Sequence, residues 1–394
     1  MAFGTLAGAA LVGAAPAGAG QEAVTLAPGV TYEEFDLPAA AGVAHAHVLT
    51  VDLRDPRVRV GLLHPGAVAA RAPVSRMAAD RGAVAGVNGD FFHITETQHP
   101  GVEATGASVG PAIARGRALK AAVPNGQRFG PALPPGTTTE AVIGVGADRR
   151  ARLDRLALDG SVRTPRGRLP LEGLNQYALP VGSVGAFTAN WGSASRVRAT
   201  CGTDTDRAAP CSTDTHEVTV RGGRVVSTAD APGGGPIAPG TTVLVGREEG
   251  ARRLRELGPG EPVAVRHRLV SAASRVPFRF ALGGYPVLVG GRPLPGLDTR
   301  TSAVRTAAGV ADGGRRLVLF ALDGAPAHRS GLTVAEVADA MRRLGSADAF
   351  NLDGGGSTTL VARDPGTAAV TVRNHPSGGT ERAVPNGIGV FPVP

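Results

Sequence analysis

Residues 316–357 constrain the fold of this chain more than any other stretch. Arg316-Leu317-Val318-Leu319-Phe320-Ala321-Leu322 is a β-type apolar run that ends in Asp323-Gly324. Thr333-Val334-Ala335-Glu336 reads as a capping box, in which the threonine hydroxyl accepts from the N3 amide and the glutamate reaches back. Val334, Val337, Ala338, Met341 and Leu344 recur at helical spacing, and Gly345 stands where a C-terminal cap belongs. A second run, Ala347 to Leu352, ends in Asp353-Gly354-Gly355-Gly356-Ser357. Strand, helix and strand over so short a span predict a βαβ unit with two parallel strands and a right-handed crossover. Ligands of such sheets bind beyond the carboxyl ends of the strands. Asp323 and Asp353 are therefore expected at one sheet edge, ~5 Å apart in chain path if the strands are neighbours and ~10 Å if one strand intervenes.

Elsewhere β-type runs dominate, as at Val48–Leu53, Val58–Leu63, Val84–Val87, Val142–Val145, Thr242–Val245, Pro286–Val289 and Thr367–Val372. Gly/Pro clusters such as Pro232-Gly233-Gly234-Gly235-Pro236 separate them, and helices are few. The expected class is α+β: a strand-rich mixed sheet with a βαβ unit near the C-terminus. No boundary divides residues 21–394 sharply, although about 120–275 is poorest in motifs and reads as a strand-rich insertion or subdomain. Residues 1–20 hold a small, apolar, uncharged run followed by Ala15-Pro16-Ala17 and Ala17-Gly18-Ala19. That is a secretory signal pattern without the usual basic n-region. Cys201 and Cys211 are the two cysteines, and in an oxidising compartment they are expected to pair. The location implied is secreted, extracellular or wall-associated.

The chain has 41 Lys+Arg against 33 Asp+Glu, a net charge of +8, yet Lys120 is the sole lysine. Arginine, alanine, glycine and proline enriched together indicate GC-rich coding, not a nucleic-acid partner, and no block of five like charges occurs. Aromatics make up 4% with one tryptophan, which disfavours a groove paved for a long glycan. No apolar run reaches the roughly 18 residues of a membrane span.

The candidate chemistry lies in carboxylates just past strands. Asp90, Asp323 and Asp353 are these carboxylates. Paired carboxylates at such spacings serve glycoside hydrolysis. Three glycines let backbone amides approach an anion closely. Arg305, with Asn88, Asn351, Gly354, Gly355, Gly356 and Ser357, is expected to bind substrate and phosphate, because arginine offers a bidentate fork. No cofactor is required by these residues, and a divalent metal such as calcium is compatible with them. Asp204 and Asp206 form a further acidic pair within the cysteine loop.

In order, Asn88-Gly89-Asp90-Phe91-Phe92, Gly283-Gly284-Tyr285-Pro286, Arg305-Thr306-Ala307, Leu322-Asp323-Gly324, Gly331-Leu332-Thr333 and Asn351-Leu352-Asp353-Gly354-Gly355-Gly356-Ser357 resemble the phosphodiester glycosidase family. Asn374, Pro376, Ser377, Arg382 and Asn386-Gly387-Ile388-Gly389-Val390 complete a resemblance spanning about 84–391. It departs where the family often has glycine for Asp90, isoleucine for Ala308 and arginine for Ala325. It implies cleavage between a sugar's anomeric carbon and a phosphodiester oxygen, with a small-molecule or glycan sugar-phosphodiester as partner, Asp353 as acid/base or nucleophile, Asp323 and Asp90 as support or metal ligands, and Arg305 with the Gly354–Ser357 amides holding phosphate. Two other readings compete. One is a non-catalytic carbohydrate, wall or exopolysaccharide-binding module. The other is a serine esterase using Ser108 in Gly106-Ala107-Ser108-Val109-Gly110, a motif that needs a strand before it and a helix after it.

Overall fold

The computed structural model describes residues 23–324 and 331–393. The signal-type segment at 1–20 and Ala325 lie outside the described residues. Three α-helices are present among the described residues: α1 (Val74–Arg81), α2 (Glu249–Arg255) and α3 (Val334–Arg343). The rest is strand and loop, so the class is α+β and mostly β.

The largest sheet has eight strands, in the order Val24–Ala27, Val30–Ala39, Gly42–Asp52, Arg316–Leu322, Thr306–Ala311, Asp348–Asn351, Tyr285–Val289 and Arg292–Pro293. Every neighbouring pair is antiparallel. Arg316–Leu322 and Asp348–Asn351 therefore run parallel through their common neighbour, Thr306–Ala311. The strand–helix–strand unit is split by one strand, which selects the wider of the two expected separations, ~10 Å. The only parallel ladder among the described residues joins Gly173–Leu174 to Gly185 and Ala186 in another sheet.

Local chemistry explains α3. Thr333 Oγ1 accepts from Glu336 N at 3.2 Å and Glu336 Oε2 accepts from Thr333 N at 2.8 Å, closing the expected box. Gly345 follows with φ +82°, a left-handed value that suits glycine. The buried face is Val334, Val337, Ala338 and Met341.

The run at 316–322 is apolar throughout because both its faces are covered. Val318, Phe320 and Leu322 join the core beneath α3. Leu317, Leu319 and Ala321 face the opposite core. That second core is shared with a five-stranded antiparallel sheet, Thr371–Val372, Leu360–Ala362, Ala85–Asn88, Gly387–Pro392 and Val58–Leu63. Helix α1 covers the far side of this sheet with Val74, Met77 and Ala78 against Leu63, Val361 and Phe391. The layers run helix, sheet, sheet, helix.

Two further sheets occupy the middle of the chain. A seven-stranded one includes Ala151–Thr164, Ala141–Gly146, Phe278–Gly283, Ala112–Ala114 and Arg117–Lys120. Its ladder joins Ala141–Gly146 to Phe278–Gly283, so hydrogen bonds cross the end of the 120–275 stretch. A five-stranded sheet over Gly173–Ala229 and Thr241–Arg247 carries α2 and has its own apolar cluster. Cys201 and Cys211 form a disulfide, as expected. Among the described residues no helix is long and apolar enough to cross a membrane.

Candidate active site

The site forms where strand ends of the two central sheets meet. Asn88 closes the strand Ala85–Asn88 and is fully buried. Its Nδ2 donates to Asp353 O at 2.7 Å, and its Oδ1 accepts from Thr306 Oγ1 at 2.8 Å and from Thr359 N at 3.0 Å. Asp353 N in turn donates to Gly89 O at 2.9 Å. Asn88 thus clasps the Asp353 turn to the second sheet; its amide is spent on backbone and on Thr306.

Asp90 follows directly and is 1% exposed. Its Oδ2 accepts from Gly110 N at 2.6 Å, while Oδ1 is buried with no partner among the described residues. Gly110 and Gly283 make room for it, since a Cβ at 283 would lie 2.5 Å from Asp90 Oδ2. Lys120, also 1% exposed, donates from Nζ to Val109 O, Gly110 O and Ala121 O at 3.1, 2.5 and 2.6 Å. The Gly110 peptide therefore bridges the two groups, its N–H on Asp90 and its carbonyl on Lys120. Burial pushes Asp90 above the usual carboxylate range, and the Lys120 and Arg128 charges restrain it. Burial pushes Lys120 down, and Asp90 opposes that.

Asp353 sits in a turn tied by its own short helical segment, Gly355–Ser357. Its Oδ1 accepts from Gly354 N at 3.1 Å and its carboxylate is hydrogen-bonded by Ser357. Burial raises it to about 6, Asp90 adds to the rise, and Ser357 and Arg382 hold it back. Arg382 Nη1 donates to Ser357 Oγ at 3.2 Å. Any side chain at Gly356 would collide with that guanidinium.

A second arginine, Arg128, lies near enough for the charges of both carboxylates to bear on it. Arg128 lies over the rings of Phe91 and Tyr285, 4.4 and 5.4 Å from their centroids, and Asp90 and Asp353 both act on its charge. It is 8% exposed; Nη1 donates to Pro131 O and Nη2 is buried without a partner among the described residues. The disulfide loop fixes its backbone: Arg207 Nη1 donates to Arg128 O at 2.7 Å, and Gly126 N donates to Asp204 O at 3.0 Å. The arrangement offers two carboxyls that burial raises, with the charges of Arg382 and Arg128 acting on them, suited to an anionic substrate with a bond to be broken by acid/base or nucleophilic help.

Several expected residues have other work. Arg305 is 7% exposed and donates Nε to Leu332 O at 2.9 Å and Nη2 to Thr301 O at 2.7 Å. It borders a cavity of about 490 Å³ with Tyr285, Thr301 and Val334, and Pro131 and Tyr285 in that lining also touch Arg128. The expected glycine nest is largely closed: Gly354 N binds Asp353, Gly355 N donates to Val304 O and Ser357 N to Gly354 O. Asn351 Nδ2 donates to Leu352 O at 3.0 Å and its Oδ1 is buried without a partner.

Asp323 is on the other side of the turn. Oδ1 takes His47 Nε2 at 2.9 Å and His375 N at 2.6 Å, and Oδ2 faces His375 Nδ1 at 2.9 Å. Burial favours its neutral form, but these hydrogen bonds win and hold it well below the usual range. Its link to the Asp353 turn is Ser377, which crowds Gly324 and donates to Gly355 O at 3.4 Å. Among the described residues, two groups have metal-ligand spacing, His99–Cys201–Cys211 and Glu34–His45–His47. The first pair of thiols is closed in the disulfide, and neither group contains Asp90, Asp323 or Asp353. Asp204 accepts the backbone amide of Val181, 23 residues away, and Asp206 that of Ala208 within its own turn.

Ser108 is no nucleophile elbow. It is 2% exposed, bridges to Phe92, and is followed by the strand Ala112–Ala114 where the motif needs a helix.

Arg128 was invisible in the sequence because it is one of forty arginines in a stretch without motifs. Arg382 stood within a recognised string but carried no signal of its own.

The fold and site define an α+β protein with carboxylates gathered from two sheets beside paired arginines. Residues 214–391 match the phosphodiester glycosidase family model, so the resemblance read from the motifs holds over that stretch. Asn88, Asp90, Lys120 and Arg128 precede it. Three solved structures are similar to the chain. A hypothetical protein from Synechocystis has 20% identity and TM-score 0.71, over 94% of this chain and 63% of that one. A Burkholderia pseudomallei protein described as a candidate exported protein has 23% identity and TM-score 0.66, over 90% and 76%. The zebrafish N-acetylglucosamine-1-phosphodiester α-N-acetylglucosaminidase catalytic domain, auto-inhibited by its pro-peptide, has 16% identity and TM-score 0.46, over 94% and 87%. The first two share the fold. The chain spans under two thirds of the Synechocystis protein's length. No curated protein matches the chain.

Proposed function

We propose that this chain is a secreted hydrolase that cleaves the glycosidic bond of a sugar-1-phosphodiester of the N-acetylglucosamine-1-phosphodiester kind. Free sugar and a phosphomonoester are the products. The observation that supports the reading is the Asp353 turn tied to the strand end that bears Asp90, through Asn88 Nδ2 to Asp353 O at 2.7 Å and Asp353 N to Gly89 O at 2.9 Å, with Arg382 on Ser357 of the same turn. The family match over residues 214–391 supports it.

The leaving group is a phosphate monoester, whose second pKa is near 6, so it departs with little proton help. Arg128 and Arg382 absorb its charge as the C1–O bond breaks. Asp353, raised to about 6, is ionised at neutral pH and serves as nucleophile or base for the attacking water. Water supplies hydroxyl to the anomeric carbon, and its remaining proton passes to the carboxylate or the phosphate. Asp90, fully buried beside it, stabilises the oxocarbenium-like centre. Asp323 holds its histidines and braces the turn.

The test is incubation with GlcNAc-1-phosphodiesters, with and without chelator. Sugar release should fall by about 10²–10⁴-fold in Asp353→Asn. Full turnover in that variant would sink the assignment. Binding without release by the wild type would favour a carbohydrate-binding module instead.

A further inference from the structure

The hairpin Val30–Ala39 and Gly42–Asp52 carries a cluster that the hydrolytic reading does not use. Its register sets Glu34 opposite His47 and Asp36 opposite His45. Alternate residues of a strand share a face, so two histidines and two carboxylates form an array on one side of the sheet. Asp323 joins from the end of the adjacent strand, through His47. One ligand atom from each of Glu34, His45 and His47 lies within 4.8 Å of the others. His47 Nδ1 is 3.6 Å from Glu34 Oε2. Two ligands about 2.0–2.1 Å from a tetrahedral zinc are roughly 3.3 Å apart, so this gap is already close to size.

Two further observations point to a cation. Each histidine has one ring nitrogen held by a carboxylate: His47 Nε2 by Asp323 at 2.9 Å and His45 Nδ1 by Asp36 at 2.7 Å. Carboxylates in that position fix the tautomer and orientation of metal-binding imidazoles. The hydrogen-bond count is also short of a positive charge. Tyr32 hydroxyl lies 2.6 Å from Glu34 Oε2 and 2.8 Å from His47 Nδ1, with one proton for two acceptors once His47 Nε2–H is directed at Asp323.

We propose that Glu34, His45 and His47 bind a zinc-class divalent cation, with Asp36 and Asp323 as outer carboxylates. Two nitrogens and one carboxylate suit zinc better than calcium, which prefers an all-oxygen shell. Glu34 and His45 are partly exposed, which gives the ion a way in. The ion would pin the N-terminal hairpin to Asp323. The proposal shares Asp323 and His47 with the hydrolytic reading, where they only brace the turn, and its readout is metal content, not turnover.

The experiment uses the full chain, free of affinity tags and of reductant, so that Cys201 and Cys211 stay closed and do not join His99. After chelator treatment and dialysis, zinc is added and the metal retained through gel filtration is measured; cobalt(II) is added in parallel as a spectroscopic probe. One equivalent of zinc and visible bands of four- or five-coordinate cobalt are expected. Glu34→Gln and His45→Ala should lose both, and Asp36→Asn should weaken zinc binding about ten- to a hundredfold. Asp36 is exposed, so that variant tests the site even if the others fail to fold by circular dichroism. Folded wild type that retains no zinc, or equal retention in folded ligand variants, would overturn the proposal.

Discussion

At the scale of single residues, Lys120 changes meaning between sequence and structure. In a chain that otherwise uses arginine, its ammonium meets three converging carbonyls. Three protons on a compact point charge fit that arrangement, and a planar five-donor fork does not. Lys120→Met should cost about 3–5 kcal/mol, since it strands Asp90 as a lone buried charge. Denaturant titration of the single variant and of Lys120→Met with Asp90→Asn checks this, and the double variant should recover part of the loss. Asp353 gives a pH signature of opposite use. Its folded pKa of about 6 lies above the unfolded value, so its ionisation costs stability as pH rises through about 6, with no cost below about 4. Asp353→Asn should therefore melt above the wild type at pH 8 and level with it at pH 4, in thermal scans across that range. In turnover, wild-type activity should rise through about pH 6 as the carboxylate ionises. Arg128→Ala should raise KM and lower kcat together, because the charges of both carboxylates bear on its guanidinium. No local pattern marks that arginine out, whereas Asp90 and Asp353 were legible because Asp-Gly and Gly-Asp strings close apolar strands.

At the scale of elements, α3 and its flanking strands were readable because their determinants are local. The cap, the 3.6-residue period and the terminal glycine all act within a turn or two. Thr333→Ala should destabilise by about 1 kcal/mol, measurable by denaturant midpoint. Leu319→Ala should cost more, about 2–5 kcal/mol, because its side chain fills the core between the two sheets. The adjacency of the two Asp-bearing strands was not readable. Thr306–Ala311 inserts between them, and strand order depends on long-range pairing, not on the strands' own residues. Thr367–Val372 is shorter than expected, with only Thr371–Val372 paired, since pairing needs a partner that its first residues lack.

At the scale of the whole molecule, the disulfide loop works for the site. It holds Arg128 through Arg207 and Gly126, and Arg198 Nη1 donates to Cys201 O while Nη2 donates to Gln127 Oε1 beside Arg128. Replacing both cysteines with alanine should destabilise by roughly 2–3 kcal/mol and raise KM more than it lowers kcat, read by melting and by steady-state kinetics. The sequence alone determined the strand-rich class, the capped helix, the cysteine pair and the turns that present Asp90 and Asp353, because those rest on periodicity, caps and turn chemistry. Tertiary structure decided that the charges of Arg128 and Arg382 bear on the carboxylates, that Arg305 donates to Leu332 O and Thr301 O, and that most amides of the glycine turn are already used. Asn88 and Asp353 are 265 residues apart in the chain and joined by one 2.7 Å hydrogen bond. Contacts of that range are set by how sheets stack, and only folding brings their partners within reach.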